Sequence, residues 1–133
     1  MCLKLNSLEP KIADKDIVCY KCVKKTKIKG VYKASIQRFE YIIRQLYTNN
    51  INIKCVNNII KCNQVSRYSY MHCIEGGMFH SYARCLLNML FLPPSNYVVL
   101  KCIIPKGAYY FDGYSSVRCY ASSQIKILEE VKF

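Results

Sequence analysis

The run Tyr97–Ile104, YVVLKCII, constrains this chain more than any other stretch. β-Branched and apolar residues follow one another with a single interruption at Lys101. Such residues are stiff at χ1 and pack well on a pleated surface. A strand without clean polar alternation needs cover on both faces, which places it at the centre of a sheet. Every other element must therefore supply neighbours for this one.

Candidate neighbours are short and numerous. Residues 16–24, DIVCYKCVK, read as a strand, and the polar link at 25–30 turns the chain so that Val31, Tyr32 and Lys33 resume in extended form. Residues 51–56 and 59–65 read as a hairpin across Asn57-Asn58, a pair that tolerates positive φ. Residues 67–74 make one further strand. After the central run, Pro105-Lys106-Gly107 turns into residues 108–111, Asp112-Gly113 turns again, and strands follow at 117–120 and 124–131. Residues 1–15 form a polar lead-in.

Two segments carry helical spacing instead. In residues 35–49, SIQRFEYIIRQLYTN, Ile36, Phe39, Ile43 and Leu46 or Tyr47 recur at three- and four-residue intervals, with Ser35 as a cap and Asn49-Asn50 as a stop. In residues 81–91, Ala83, Leu86, Leu87, Leu90 and Phe91 form an apolar stripe that Pro93-Pro94 ends, with Ser81 at the N-cap. The expected fold class is α+β: a single domain, 1–133, with a mostly antiparallel twisted sheet and two helices. At 133 residues and 52% hydrophobic content the chain can bury a core without disulfides or metal.

Charge is the strongest global signal. Twenty Lys and Arg against eight Asp and Glu give +12, and residues 1–34 alone contribute nine basic and three acidic residues. Such a field draws in polyanions: nucleic acid, an anionic nucleotide, an anionic membrane surface or an acidic protein. A lysine-rich solubilising surface is the alternative, since Ile, Lys, Asn and Tyr are all abundant. The nine cysteines are an odd number, and MCLKLNSLEPK lacks the apolar core of a signal peptide. The expectation is a cytoplasmic protein with reduced, core-packed cysteines and no membrane segment. Cys19 and Cys22 have zinc-like spacing, but no second such pair exists and residues three apart on a strand face opposite ways. No cofactor or metal is expected. A homodimer is compatible with the twelve tyrosines.

The candidate ligand-binding residues fall into three groups. Lys21, Lys24 and Lys25, with Lys27, Lys29 and Lys33, interleave with Tyr20 and Tyr32, so that lysines track phosphates while tyrosines stack on bases; an edge hairpin that blocks aggregation is the competing account. EGGMFHSYAR places His80 and Ser81 at the expected helix start, an anion seat with Arg84 one turn on. A histidine that merely satisfies a backbone carbonyl is its alternative. Lys106 and Tyr110 stand at the rim of the central strand. No residue is assigned a catalytic role.

The opening CLKLNSLEPKIADKDIVCYK, the central GMFHSY and the late KCIIPKGAYYFDG with YASSQIKIL resemble a family of small uncharacterised phage and gut-bacterial proteins. Its marks are a GFHS element followed by KCxIPKGxxYxxG and YAS. Here Met78 separates Gly77 from Phe79, and residues 49–70 are longer than the family pattern. The resemblance implies a phage-type accessory protein, one that counteracts host defence by binding, and extended structure rather than helix near Phe39–Tyr47. The element order is also similar to ADP-ribosyltransferase-like folds. That similarity implies the alternative of an enzyme acting on a nucleotide; a protein-binding inhibitor of a host factor is a further alternative.

Overall fold

The computed structural model describes residues 3–6, 9–34, 39–49, 53–56, 59–62, 65–68, 71–74, 78–85, 96–115 and 117–131. Fifteen strands lie among them. In chain order they are β1 (Leu3–Leu5), β2 (Lys11–Ile12), β3 (Ile17–Lys25), β4 (Val31–Ala34), β5 (Glu40–Ile42), β6 (Leu46–Thr48), β7 (Ile53–Val56) and β8 (Ile59–Cys62). There follow β9 (Val65–Tyr68), β10 (Met71–Ile74), β11 (Phe79–Tyr82), β12 (Tyr97–Ile104), β13 (Tyr109–Ser115), β14 (Val117–Ser122) and β15 (Gln124–Glu130). Thirteen strands form one sheet with the path β6-β15-β12-β3-β11-β14-β13-β1-β10-β9, while β7 and β8 pair separately as the expected hairpin.

The α+β expectation with two helices is overturned: the described residues are all-sheet, in antiparallel register. Residues 35–49 fail as a helix because β5, a turn and β6 occupy 40–48; residues 35–38 lie outside the described set. Phe39, Tyr41, Ile43 and Tyr47 face inward around a turn at Arg44, whose φ is 66°. Two short period-two strands broken by one left-handed residue reproduce helical spacing. Ser81 is no N-cap, since it sits inside β11 with Phe79 and Ser81 buried and His80 and Tyr82 half-buried. Residues 86–91, the body of the second expected helix, lie outside the described residues. Two smaller corrections follow. Residues 67–74 divide between paired β9 and β10, and Asp112-Gly113 continues β13 instead of turning.

β12 is central, with β3 on one edge and β15 on the other. Its adjacent Val99 and Leu100 are 1% and 0% exposed, so both faces are covered there. On its far edge β3 pairs with β4 through Val23–Ala34, and β4 pairs with β5. The turn at 43–45 then carries the chain into β6, and Arg44 N–H and Gln45 C=O both bond Ile127 of β15. The ribbon β6-β15-β12-β3-β4-β5 thus closes through its own backbone into a small barrel. Cys19, Val23, Tyr32, Tyr41, Cys102, Ile104, Ile125 and Ile127 share its core. Phe39, Tyr41, Tyr47 and Phe79 stack edge-on or tilted, with centroids 4.9–6.4 Å apart. Below the barrel β11, β14 and β13 extend the sheet over a second cluster of Met78, Phe111, Cys119 and Ala121.

The β3–β4 turn is fixed locally. Thr26 Oγ1 accepts from the Ile28 N–H at 3.2 Å and donates to the Val31 carbonyl at 2.7 Å. Gly30 lies at φ +81° with open space around its missing Cβ, so the backbone angle alone demands glycine. Gly30→Ala is expected to cost about 1 kcal/mol, read as a shifted urea midpoint with an unchanged slope.

Candidate functional site

Alternation along β3 divides its lysines. Cys19, Lys21 and Val23 point into the barrel, while Val18, Tyr20, Cys22 and Lys24 point away from it. Cys19 and Cys22 therefore cannot grip one metal ion. Among the described residues no group of three or more His, Cys, Asp and Glu is placed to hold one.

Lys21 lies inward, where sequence reasoning expected a surface cation. Its ammonium sits 5.2 Å from the centre of the Tyr41 ring and donates to the His80 backbone carbonyl. β3 meets β11 only at Tyr20–Tyr82, and Lys21 bridges the strands next to that contact. Burial holds the Lys21 amine below its ordinary pKa, with the nearby Cys102 and Cys19 thiols acting in the opposite direction. Burial also pushes the Cys19 thiol up to about 11 and the Cys102 thiol higher still. Ser81 Oγ is buried beside Cys19 without a well-formed hydrogen bond. Burial, and then the Lys21 charge, pull His80 down to about 4. His80 is therefore a neutral imidazole at pH 7, and it adds no positive charge for a phosphate.

The outer end of the β3–β4 hairpin is different. Lys24, Lys25, Lys27, Lys29 and Lys33 are all exposed, and residues 24–33 contain no acidic side chain. Lys24 and Lys33 stand directly opposite across the two strands, a like-charge pair that disfavours the bare ribbon. The turn walls a shallow open recess lined by Lys25, Thr26, Ile28, Lys29, Tyr32 and Glu130 among others. Glu130 reaches the recess from the end of β15. Its Oε2 accepts from the Tyr32 hydroxyl at 2.7 Å, and its Oε1 lies 3.9 Å from Lys25 Nζ. Burial, then the bond to Glu130 and its charge, raise the Tyr32 phenol to about 12. The Tyr32 ring is 7% exposed, so its hydroxyl rather than its face serves this rim. Tyr32→Phe is expected to cost about 1 kcal/mol in urea unfolding, the worth of one hydrogen bond to a part-exposed carboxylate.

The nine candidate residues thus do not converge. Lys24, Lys25 and Tyr32 meet at the hairpin, with Lys27, Lys29 and Lys33. Lys21, His80 and Ser81 meet beside the barrel core. Arg84 is exposed two residues beyond β11. Lys106, whose N–H donates to Asp16 Oδ1 at 2.9 Å, is exposed in the turn after Ile104. Ile104 pairs with Ile17, the opposite end of β3 from the hairpin, roughly 25 Å away at strand rise. Tyr110 packs edge-on against Tyr120 at 5.9 Å in the interior. Sequence reasoning missed Glu130, which lies 98 residues from its partner Tyr32, and no local pattern could have joined them. It also passed over Ile28, whose placement between Lys27 and Lys29 was visible.

Comparison with protein-family models, with curated proteins and with solved structures found no match to this chain. Among the described residues, no helix is long and apolar enough to cross a membrane.

Proposed function

We propose that the protein binds nucleic acid along its phosphate backbone through the β3–β4 hairpin, as a binding protein and not an enzyme. One observation carries this reading: five exposed lysines on a ten-residue, locally braced ribbon, of which, among the described residues, only Lys25 has a carboxylate within 4 Å. A two-stranded ribbon suits a nucleic-acid groove, and lysines that neutralise phosphates need no base-specific geometry. The accessory role implied by the phage-type resemblance then works by occupying the polyanion. Neither step requires a general acid, which agrees with a neutral, half-buried His80.

The test is fluorescence anisotropy with a duplex of roughly 20 base pairs, titrated between about 50 and 200 mM salt. Five phosphate contacts are expected to give a log–log slope of about −4.5. Absence of binding at the lowest salt, or a slope near zero, overturns the reading.

A further inference from the structure

We infer that Ile28 is an apolar wedge that enters between stacked bases of the bound duplex while Lys27 and Lys29 take the flanking phosphates. This rests on the nucleic-acid reading and adds a mode of contact to it. Ile28 is 67% exposed, the most exposed large apolar side chain among the described residues. It lies at the tip of the lysine-rich ribbon, on the rim of the recess that Tyr32 and Glu130 also line. Its backbone is held from both sides: the Ile28 N–H donates to Thr26 Oγ1 at 3.2 Å, and the Ile28 carbonyl accepts from Val31 N–H at 3.2 Å. Gly30 completes the bend at φ +81°. The side chain is β-branched, so it is stiff at χ1 as well. A rigid, outward apolar residue between two cations loses little entropy on insertion, and unstacking one base step is the main cost it must offset.

Charge complementarity selects the occupant. Lys27 and Lys29 flank Ile28 directly, and Lys24 and Lys33 follow along the ribbon, matching a backbone of regularly spaced phosphates. A lipid surface carries the same sign of charge. Anchoring there, however, draws on a broad apolar face, and the hairpin tip offers one side chain. Stacked bases need only one.

The experiment uses the full chain and a duplex of roughly 20 base pairs carrying one 2-aminopurine at a flexible TA step. Anisotropy and 2-aminopurine emission are recorded together. Wild-type protein is expected to bind and to raise emission roughly twofold or more at saturation, because unstacking relieves quenching. Ile28→Ala should still bind, weakened by no more than about tenfold, with the emission rise abolished. Ile28→Leu should restore it. Binding by the wild type without an emission rise, or the same rise with Ile28→Ala, overturns the wedge and leaves phosphate binding standing. A duplex that is not bound at all overturns both. Capture by phosphatidylserine vesicles that is lost with Ile28→Ala, with the duplex ignored, gives the tip to a membrane and overturns both as well.

Discussion

Replacing Lys24, Lys27, Lys29 and Lys33 together by glutamine is expected to weaken duplex binding by about 10²- to 10³-fold near physiological salt. Each lost phosphate contact removes about 0.9 from the salt slope, so four should flatten it by about 3.6. The prediction isolates binding from folding because all four side chains are exposed, and among the described residues none lies in an ion pair. Lys25 is left in place, since it faces Glu130. Removing the opposed Lys24–Lys33 pair should hold stability or raise it by a few tenths of a kcal/mol. An unchanged affinity in a folded variant would give the charge to solubility. A weaker affinity with an unchanged slope would mean that the lysines act by some route other than counterion release.

The second large effect is acid sensitivity at His80. Its folded pKa is about 4, against an ordinary value of 6.5. The unfolded chain therefore takes up a proton before the folded one as pH falls. Stability from this group is complete above about pH 6.5, declines through the interval and levels off below about pH 4. A shift of this size corresponds to about 3 kcal/mol. Urea unfolding of wild type and His80→Gln at pH 7 and near pH 4 should show the variant losing less by about that amount. Equal losses would mean that His80 is hydrated and free to titrate, which would reopen it as a phosphate ligand. The cause is structural. Burial of the imidazole comes first, and Lys21, itself drawn inward onto Tyr41 and the His80 carbonyl, adds to it by making a second positive charge nearby unfavourable.

Much of the strand inventory was legible because it rests on local covalent preference. The run Tyr97–Ile104 could only be a buried strand, and it became β12 between β3 and β15. Period-two geometry alone separates Cys19 from Cys22. Residues 39–48 were misread where periodicity is degenerate. Phe39, Ile43 and Tyr47 satisfy a strand–turn–strand path as well as a helical stripe, and the deciding feature is Arg44 in the left-handed region.

The amino-acid sequence by itself determined a strand-rich chain, the hairpin of residues 16–24 and 31–33 and its concentration of five lysines between 24 and 33. These follow from side-chain shape, alternation and charge, all of which act over a few residues. Only the tertiary structure decided which lysine turns inward, that His80 is a neutral strand residue, and that Glu130 stands beside Tyr32 across 98 residues. Those outcomes depend on how the ribbon closes into a barrel. Closure is a long-range choice among strand pairings, and desolvation, which sets the charge of Lys21 and His80, exists only once it is made.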